Sequence, residues 1–404
     1  MNPSRNPGWV QACILLVSAG LASLATAVLG PSLPRMQEYF DSTSDFEYLV
    51  PLSLTAPMFV MAGLSVFVGL AADRFGRKRI LVSATTLYAL CGTAPLWLDT
   101  LRGILVSRML LGVAEACLMT CSTTLIGDYF AGPTRAKLMS LHTTVAAVSA
   151  FVLNLVGGVL GEQSWRTPYW VYAVSLPLAA LMALNLWEPG PGPQGNQMGA
   201  DDGGGGPLNV PRLLGICILA VGVGLAFMTV PVHLGYLFKE IGVESPARIG
   251  FAYALNSVGV IGGTLTFGWV VARRVMRVAM QLALAATVLG ASFLALSMAT
   301  NYAGLTLAAW INGIGAGLIF PAMVTWNMRE LPYSHRGIGV GAFQSSLFLG
   351  MSINPVVIVS LAKWQGSRAA TTAVLGETVL VAALIAVITA LKGRVMPNVR
   401  SLHS

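Results

Sequence analysis

Charge is what this chain lacks most. Only 10% of its 404 residues are Asp, Glu, Lys or Arg, against about 25% in a soluble globular domain. So few charges cannot keep a surface of that size in water. A soluble fold is excluded and a polytopic membrane protein remains. Histidine is scarce too. His142, His233, His335 and His403 stand far apart and form no H-x-x-x-H or H-x-x-x-x-D box, which argues against a membrane-embedded enzyme. No G-x-x-x-x-G-K-(S/T) segment occurs, so ATP is not the direct driver of what the chain does. The five cysteines, Cys13, Cys91, Cys117, Cys121 and Cys217, lie in apolar runs without a C-x-x-C pair. Cys117 and Cys121 are four apart, with no His or carboxylate beside them at ligand spacing. They read as small core residues, and no metal site is expected.

What is present is apolar. The chain is 55% hydrophobic, with a mean hydropathy of +0.72. A spanning helix needs about 20 apolar residues. Twelve runs qualify: 10–30, 48–71, 80–98, 103–126, 138–161, 169–187, 211–235, 248–271, 278–298, 303–326, 337–361 and 370–391. The first follows Arg5 and contains Ala25-Thr26-Ala27, which resembles a signal-peptidase site. Its length exceeds the usual 7–15 residues of a signal core, so it is expected to stay as the first helix. Most connections are short. The exception runs from Glu188 to Asn209 and is rich in Gly, Pro and acidic residues, a composition that cannot pack and stays flexible. It divides the chain into an expected bundle of six helices at 1–187, a cytoplasmic linker at 188–210 and a second bundle of six at 211–404.

The formal net charge of +8 marks inner loops rather than a nucleic-acid partner. With the N-terminus inside, sixteen of the 24 basic residues fall on the inner side, seven on the outer side, and Arg108 within a span. Both termini are therefore expected in the cytoplasm. The densest knot is Gly69-Leu70-Ala71-Ala72-Asp73-Arg74-Phe75-Gly76-Arg77-Lys78-Arg79. Gly69 permits close helix approach, and Gly76 a tight turn with positive φ. Asp73 can meet a helix N-terminus or a basic side chain. Asp128, closing the fourth run, is placed to pair with Arg74 or Arg77. A degraded copy follows at Gly268–Val278, with Ala272 for Asp73 and Val275 for Gly76. Arg135 likewise corresponds to Arg336, and Gly112 to Gly313. Two related six-helix halves are a transporter layout.

The knot matches G-x-x-x-D-(R/K)-x-G-R-(R/K)-(R/K) through Gly69, Asp73, Arg74, Gly76, Arg77, Lys78 and Arg79. On this motif, at the loop between the second and third runs, the chain resembles the major facilitator superfamily along essentially its whole length. The resemblance implies an all-α membrane protein of twelve transmembrane helices in two pseudo-symmetric six-helix bundles. It implies a secondary active transporter moving a small organic solute by alternating access, without a cofactor. The expected setting is the inner membrane of a bacterium, as a monomer among lipids, with solute and protons as partners. It also implies that Gly69, Asp73, Arg74, Gly76, Arg77, Lys78 and Asp128 form a cytoplasmic gate, with Asp73 beside the helix starting near Gly337. That contact favours the outward-open state. The alternative is that the cluster only fixes topology.

The fourth run carries Arg108-Met109-Leu110-Leu111-Gly112-Val113-Ala114-Glu115-Ala116. It matches the family's R-x-x-x-G pattern, and its Glu-Ala ending is similar to spinster-like lipid transporters and organic-anion symporters. Seven residues turn a helix by about 700°, so Arg108 and Glu115 share a face roughly 10 Å apart. An ionised carboxylate inside a membrane costs several kcal/mol. Glu115 is thus the candidate for proton or cation coupling, the alternative being a static ion pair. Arg108 is left open between binding an anionic substrate and balancing Glu115. Ala316 stands at the matching position of the second half.

Further intramembrane polar residues are His142 and Asn154 in the fifth run, His233 in the seventh and Asn256 in the eighth. Asn312 lies in the tenth run, and Gln344 and Asn354 in the eleventh. The resemblance makes the first, fourth, seventh and tenth helices line the cavity, flanked by the second, fifth, eighth and eleventh. His142, His233, Asn256, Asn312 and Gln344 are cavity candidates on that basis, against plain interhelical hydrogen bonds. Glu377 in the twelfth run is expected to pack or snorkel. The fifth run departs from the drug-antiporter pattern G-x-x-x-G-P-x-x-G-G. Asn154 takes the Pro position and Leu153 the Gly before it, while Gly157-Gly158 remains. This argues against multidrug export and leaves uptake of an organic anion and export of a metabolite both open.

Overall fold

A computed structural model describes residues 7–189, 210–271, 278–330 and 336–395. Among the described residues all regular structure is helical. In chain order the α-helices are α1 (Trp9–Ala27), α2 (Leu33–Tyr39), α3 (Phe46–Phe75), α4 (Arg77–Thr93), α5 (Leu101–Tyr129) and α6 (Gly132–Gly161). Then come α7 (Ser175–Asn185), α8 (Val210–Glu240), α9 (Pro246–Thr266), α10 (Val278–Met298), α11 (Tyr302–Glu330), α12 (Arg336–Gln365) and α13 (Arg368–Val395). Short 3-10 turns lie at Gly30–Ser32, Ala94–Leu96 and Thr167–Val174, and α9 runs into a π turn at Phe267–Val271.

Among the described residues eleven helices are long and apolar enough to cross a membrane. The remaining run, 80–98, folds as α4, which is 17 residues long and is continued by the Ala94–Leu96 turn. Pro95 inside that turn ends the helix early, because a proline offers no N–H to the ladder. Helices of 29 to 31 residues such as α5, α6 and α8 are about 45 Å long. That exceeds the hydrocarbon layer of about 30 Å, so they tilt or project from it. α3 and α8 also carry internal prolines, at Pro51, Pro57 and Pro231.

The described residues pack as two units. One holds residues up to Ala254 together with 331–357; the other holds 255–330 and 358 onward. These limits differ from the halves read at the linker. In the first unit α8, the start of α9 and most of α12 accompany the helices of the N-terminal half. Its core runs through Leu15, Leu54, Leu81, Tyr88, Leu111, Leu118, Tyr172 and Leu347. Glycines set its closest helix approaches. A Cβ at Gly112 of α5 would lie 2.7 Å from the Pro57 Cα of α3, and one at Gly315 in the second unit 2.8 Å from the Leu289 Cα. Small residues bring helix backbones together where apolar side chains gain nothing over lipid. In the second unit α10 packs against α11 and α13.

Candidate functional site

The charged knot folds as a hinge between two helices. α3 ends at Phe75, and Gly76, at φ 96°, turns the chain directly into α4. That conformation is strained for any residue with a Cβ. Arg77, the first residue of α4, donates to Asp128 at the end of α5 at 2.6 Å and to Asp73 one turn back at 2.8 Å. Hydrogen bonds from Asp128 first, then Asp73, raise the Arg77 guanidinium above its ordinary value. The expected pairing of Asp128 is thus with Arg77; Arg74 instead lies over the Phe75 ring at 5.5 Å. Among the described residues no neighbour comes within 4 Å of a Cβ at Gly69. The side chains at 336 and 337, where Asp73 was expected to dock, lie outside the described residues, as do positions 272–277 of the degraded repeat.

Glu188, assigned by composition to the linker, belongs to this cluster. Its carboxylate accepts the free backbone N–H groups of Lys78 at 3.2 Å and Arg79 at 3.0 Å, capping α4 from 110 residues away. Beside it the Tyr129 hydroxyl accepts from Trp187 N at 2.9 Å, and the two rings stack at 4.7 Å. The last residues before the linker are thereby fastened to α4 and α5.

Arg108 and Glu115 share a side of α5, and the structure gives them different surroundings. Arg108 is 1% exposed. It donates to the Cys91 and Gly92 carbonyls, both at 2.9 Å, and to the Tyr172 hydroxyl at 3.1 Å. The rings of Tyr169 and Tyr172 lie 5.1 Å from its guanidinium carbon. Carbonyls freed where α4 ends and two aromatic faces thus hold the cation without a carboxylate. Glu115 is 6% exposed. No hydrogen bond or ion pair reaches its carboxylate among the described residues. One turn toward the C-terminal end of α5 on the same face, Met119 is 39% exposed. Two turns along, Ser122 meets the His142 ring of α6 at 3.4 Å. Glu115 and His142 therefore bracket about 10 Å of one face of α5.

The other candidates are placed separately. Asn256 donates to the Ala309 carbonyl at 2.7 Å, tying α9 to α11, and Asn312 donates to Ser292 of α10 at 3.0 Å. Both are interhelical ties in the second unit. His233 is buried in α8, its ring 6.1 Å from that of Tyr236, and Gln344 of α12 is half-buried. Asn354 donates to the Leu225 carbonyl and the Thr229 hydroxyl, joining α12 to α8. Arg166 lies over the Trp165 and Tyr39 rings and pairs with Asp99 at 2.6 Å.

Three features were missed from the sequence. The first is the Glu188 cap. The second is the contact of Glu162, at the end of α6, with the start of α9. The third is a polar face of α6: Ser140, Thr143 and Thr144 are exposed at mid-helix. Leu141, 36% exposed, lies about 160° round the helix from Thr143 of this face. The signal for it was available, since Ser140, Thr143, Thr144 and Ala147 follow helical spacing.

A many-helix membrane protein with a charged inter-helix hinge and an intramembrane carboxylate is the class this geometry defines. The Major Facilitator Superfamily profile matches residues 15–355 and 212–402. The chain belongs to that superfamily and is a secondary transporter. It is 24% identical over 410 residues to YdgK, an uncharacterized MFS-type transporter of Bacillus subtilis (strain 168), covering 93% of this chain and 96% of that one. It is 27% identical over 304 residues to the 3-(3-hydroxy-phenyl)propionate transporter of Escherichia coli (strain K12), covering 72% of each. Among solved structures it resembles a bacterial homolog of the human lysosomal transporter Spinster in an inward-facing, occupied conformation. The TM-score is 0.71 at 13% identity, covering 94% of each chain. At that identity the likeness is one of fold.

Proposed function

We propose that this transporter moves a small organic solute across a bacterial inner membrane by alternating access of its halves 1–187 and 211–404, driven by protons through Glu115. Both termini face the cytoplasm, the chain acts as a monomer without enzymatic activity, and neither metal nor nucleic acid takes part. The observation that carries the reading is the Glu115 carboxylate, buried within a spanning helix with no hydrogen-bond partner among the described residues, one turn from the exposed Met119. An ionisable group in that position is expensive to keep and marks an ion pathway by default. His142, two turns away beside Ser122, extends the same face toward the inner end. Its imidazole is suited to passing a proton near neutral pH. Arg108 supports the site indirectly, by fixing α5 against α4 and the Thr167–Val174 turn. His233 and Gln344 are further contacts for the solute.

The test is transport in proteoliposomes under an imposed pH gradient, comparing wild type with Glu115→Gln. The solute panel includes 3-(3-hydroxyphenyl)propionate, chosen for the relative that carries that name. Proton-driven accumulation by the wild type and its loss in the variant, with solute exchange retained, is the expected result. A variant that still accumulates solute with unchanged proton dependence removes Glu115 from the coupling role.

A further inference from the structure

The end of the first unit opposite Trp9 is closed by contacts between α6 and the start of α9, and Glu162 sits at their edge. α9 begins with Ser245 at its N-cap and Pro246 in its first turn. A helix leaves its first N–H groups without partners; here Pro246 has none to satisfy. Arg248 N donates to the Ser245 side-chain oxygen at 3.4 Å. Ala247 N donates to a Glu162 carboxylate oxygen at 3.1 Å, and the Ser245 hydroxyl donates to the same oxygen. A carboxylate from α6 thus completes the cap of α9. Arg35 of α2 holds that carboxylate in place. It donates to the Gly161 carbonyl at 2.8 Å, to the Glu162 carbonyl at 2.7 Å and to the second carboxylate oxygen at 3.1 Å. One cation therefore closes the C-terminus of α6 and orients the group that closes the N-terminus of α9.

Beneath this polar cluster the helices touch through backbone. A Cβ at Gly158 would stand 2.7 Å from the Pro246 carbonyl oxygen and 3.0 Å from the Gly250 Cα, and one at Gly250 2.6 Å from the Asn154 carbonyl oxygen. Lys239 and Glu38 add an ion pair at 2.7 Å between α8 and α2. The backbone contact at Asn154, Gly158, Pro246 and Gly250 is buried, whereas the Arg35 and Glu162 side chains are 32% and 37% exposed. Exposed ion pairs of this kind contribute little net stability, because water replaces them when they part. The cluster can therefore part at little cost, as a joint that opens must.

We infer that Glu162 is a state-selecting residue: its carboxylate, held by Arg35, caps α9 only while the outer end is closed, and so sets the balance between closed and open forms. This rests on the orientation and alternating access proposed above, and not on proton coupling through Glu115. The cap favours the closed form by the effect of one N-cap, about five-fold in the population ratio.

The test uses the full chain with its five cysteines replaced, reconstituted in nanodiscs without solute. Spin labels sit on Gln163→Cys and Glu244→Cys, both exposed at this end. Electron-electron distance distributions are compared for the parent, Glu162→Ala, Arg35→Gln and Ser245→Ala. The expected result is a growth of the long-distance population by about five-fold in Glu162→Ala and a smaller growth in the other two, with thermal midpoints within a few degrees of the parent. Unchanged distributions in Glu162→Ala overturn the inference. A lowered melting midpoint with an unchanged population ratio in all three variants also overturns it, since the cluster is then only structural. The distances are read without solute or gradient, so failure of the Glu115 reading leaves this result standing.

Discussion

Arg108 donates to the Tyr172 hydroxyl at 3.1 Å and stands 5.1 Å from the centre of that ring. Tyr172 in turn packs against Gly92 so closely that a Cβ there would lie 2.6 Å from the tyrosine Cβ. Arginine, tyrosine and glycine thus form one joint of α5, the Thr167–Val174 turn and α4. Intramembrane hydrogen bonds average about 0.6 kcal/mol, and three end on this guanidinium. With the cavity that truncation leaves, Arg108→Ala is expected to destabilise the chain by about 2–4 kcal/mol, seen as a lowered melting midpoint in detergent. Arg108→Lys, a point charge unable to span both carbonyls and the hydroxyl, is expected to lose about half as much. A fully stable Arg108→Ala protein with weakened binding of anionic solutes reverses this assignment.

How much of this was legible beforehand follows from what each signal measures. Apolar runs of spanning length show directly in composition, and eleven of the twelve form helices that meet the length and hydropathy expected of a span. The hinge at Gly76 and the closeness of Asp128 to Arg77 followed from a motif and an element boundary. The helical repeat placed Arg108 and Glu115 on one side of α5, because seven residues are nearly two turns. It fixes relative angle only and says nothing of what stands opposite. Arg108 therefore remained open until Cys91, Gly92, Tyr169 and Tyr172 were seen around it. Glu188 and Glu162 were illegible for another reason. Each caps a helix distant in sequence, and a carboxylate next to glycine or proline looks like any loop residue.

The Glu188 cap makes its own prediction. Glu188→Ala leaves the Lys78 and Arg79 N–H groups without their carboxylate, at a cost of about 1 kcal/mol. The protection of those amides in hydrogen exchange should fall by about five-fold, with Arg108-region amides unchanged. Glu188→Gln, which keeps an acceptor oxygen, should fall less. Equal protection in the Ala variant and the parent contradicts the cap.

Gly112 against Pro57 predicts a steric effect. A Cβ would meet the Pro57 Cα at 2.7 Å, and backbone cannot yield as a side-chain end does. Gly112→Ala is expected to cost about 1–3 kcal/mol, as overpacking does. Gly262, where nothing lies within 4 Å of a built Cβ, is the control; its Ala variant should melt with the parent or slightly above it.

The polar face of α6 predicts a pattern of access. Thr143 and Thr144 turn their hydroxyl protons onto the Met139 and Ser140 carbonyls and remain exposed. On a helix with one lipid side, a second exposed and polar side borders water. In a cysteine-free background Thr143→Cys should react with a hydrophilic maleimide at least ten times faster than Leu141→Cys, which is 36% exposed about 160° round the helix at nearly the same depth. Equal rates mean that both sides face lipid.

Glu162 also ties closure of its end to pH. The Ser245 hydroxyl above all, then the Ala247 N–H and the Arg35 charge, hold its carboxyl below the usual range, against a slight burial that pushes it up. A carboxyl lowered in the closed form binds its proton less readily there than in the open form, where its value returns to about 4.3. Closure is therefore favoured at every pH above that open-form value. The advantage is lost as pH falls through the lowered, closed-form value, where both forms become protonated. The label distance between positions 163 and 244 should stay constant from pH 8 to about 5 and lengthen only below about 4. Glu162→Gln should show no such acid step. A transition between pH 6 and 7 instead, surviving in Glu162→Gln but absent in Glu115→Gln, places pH control of the outer end at mid-membrane. Glu162 would then hold the gate without sensing protons.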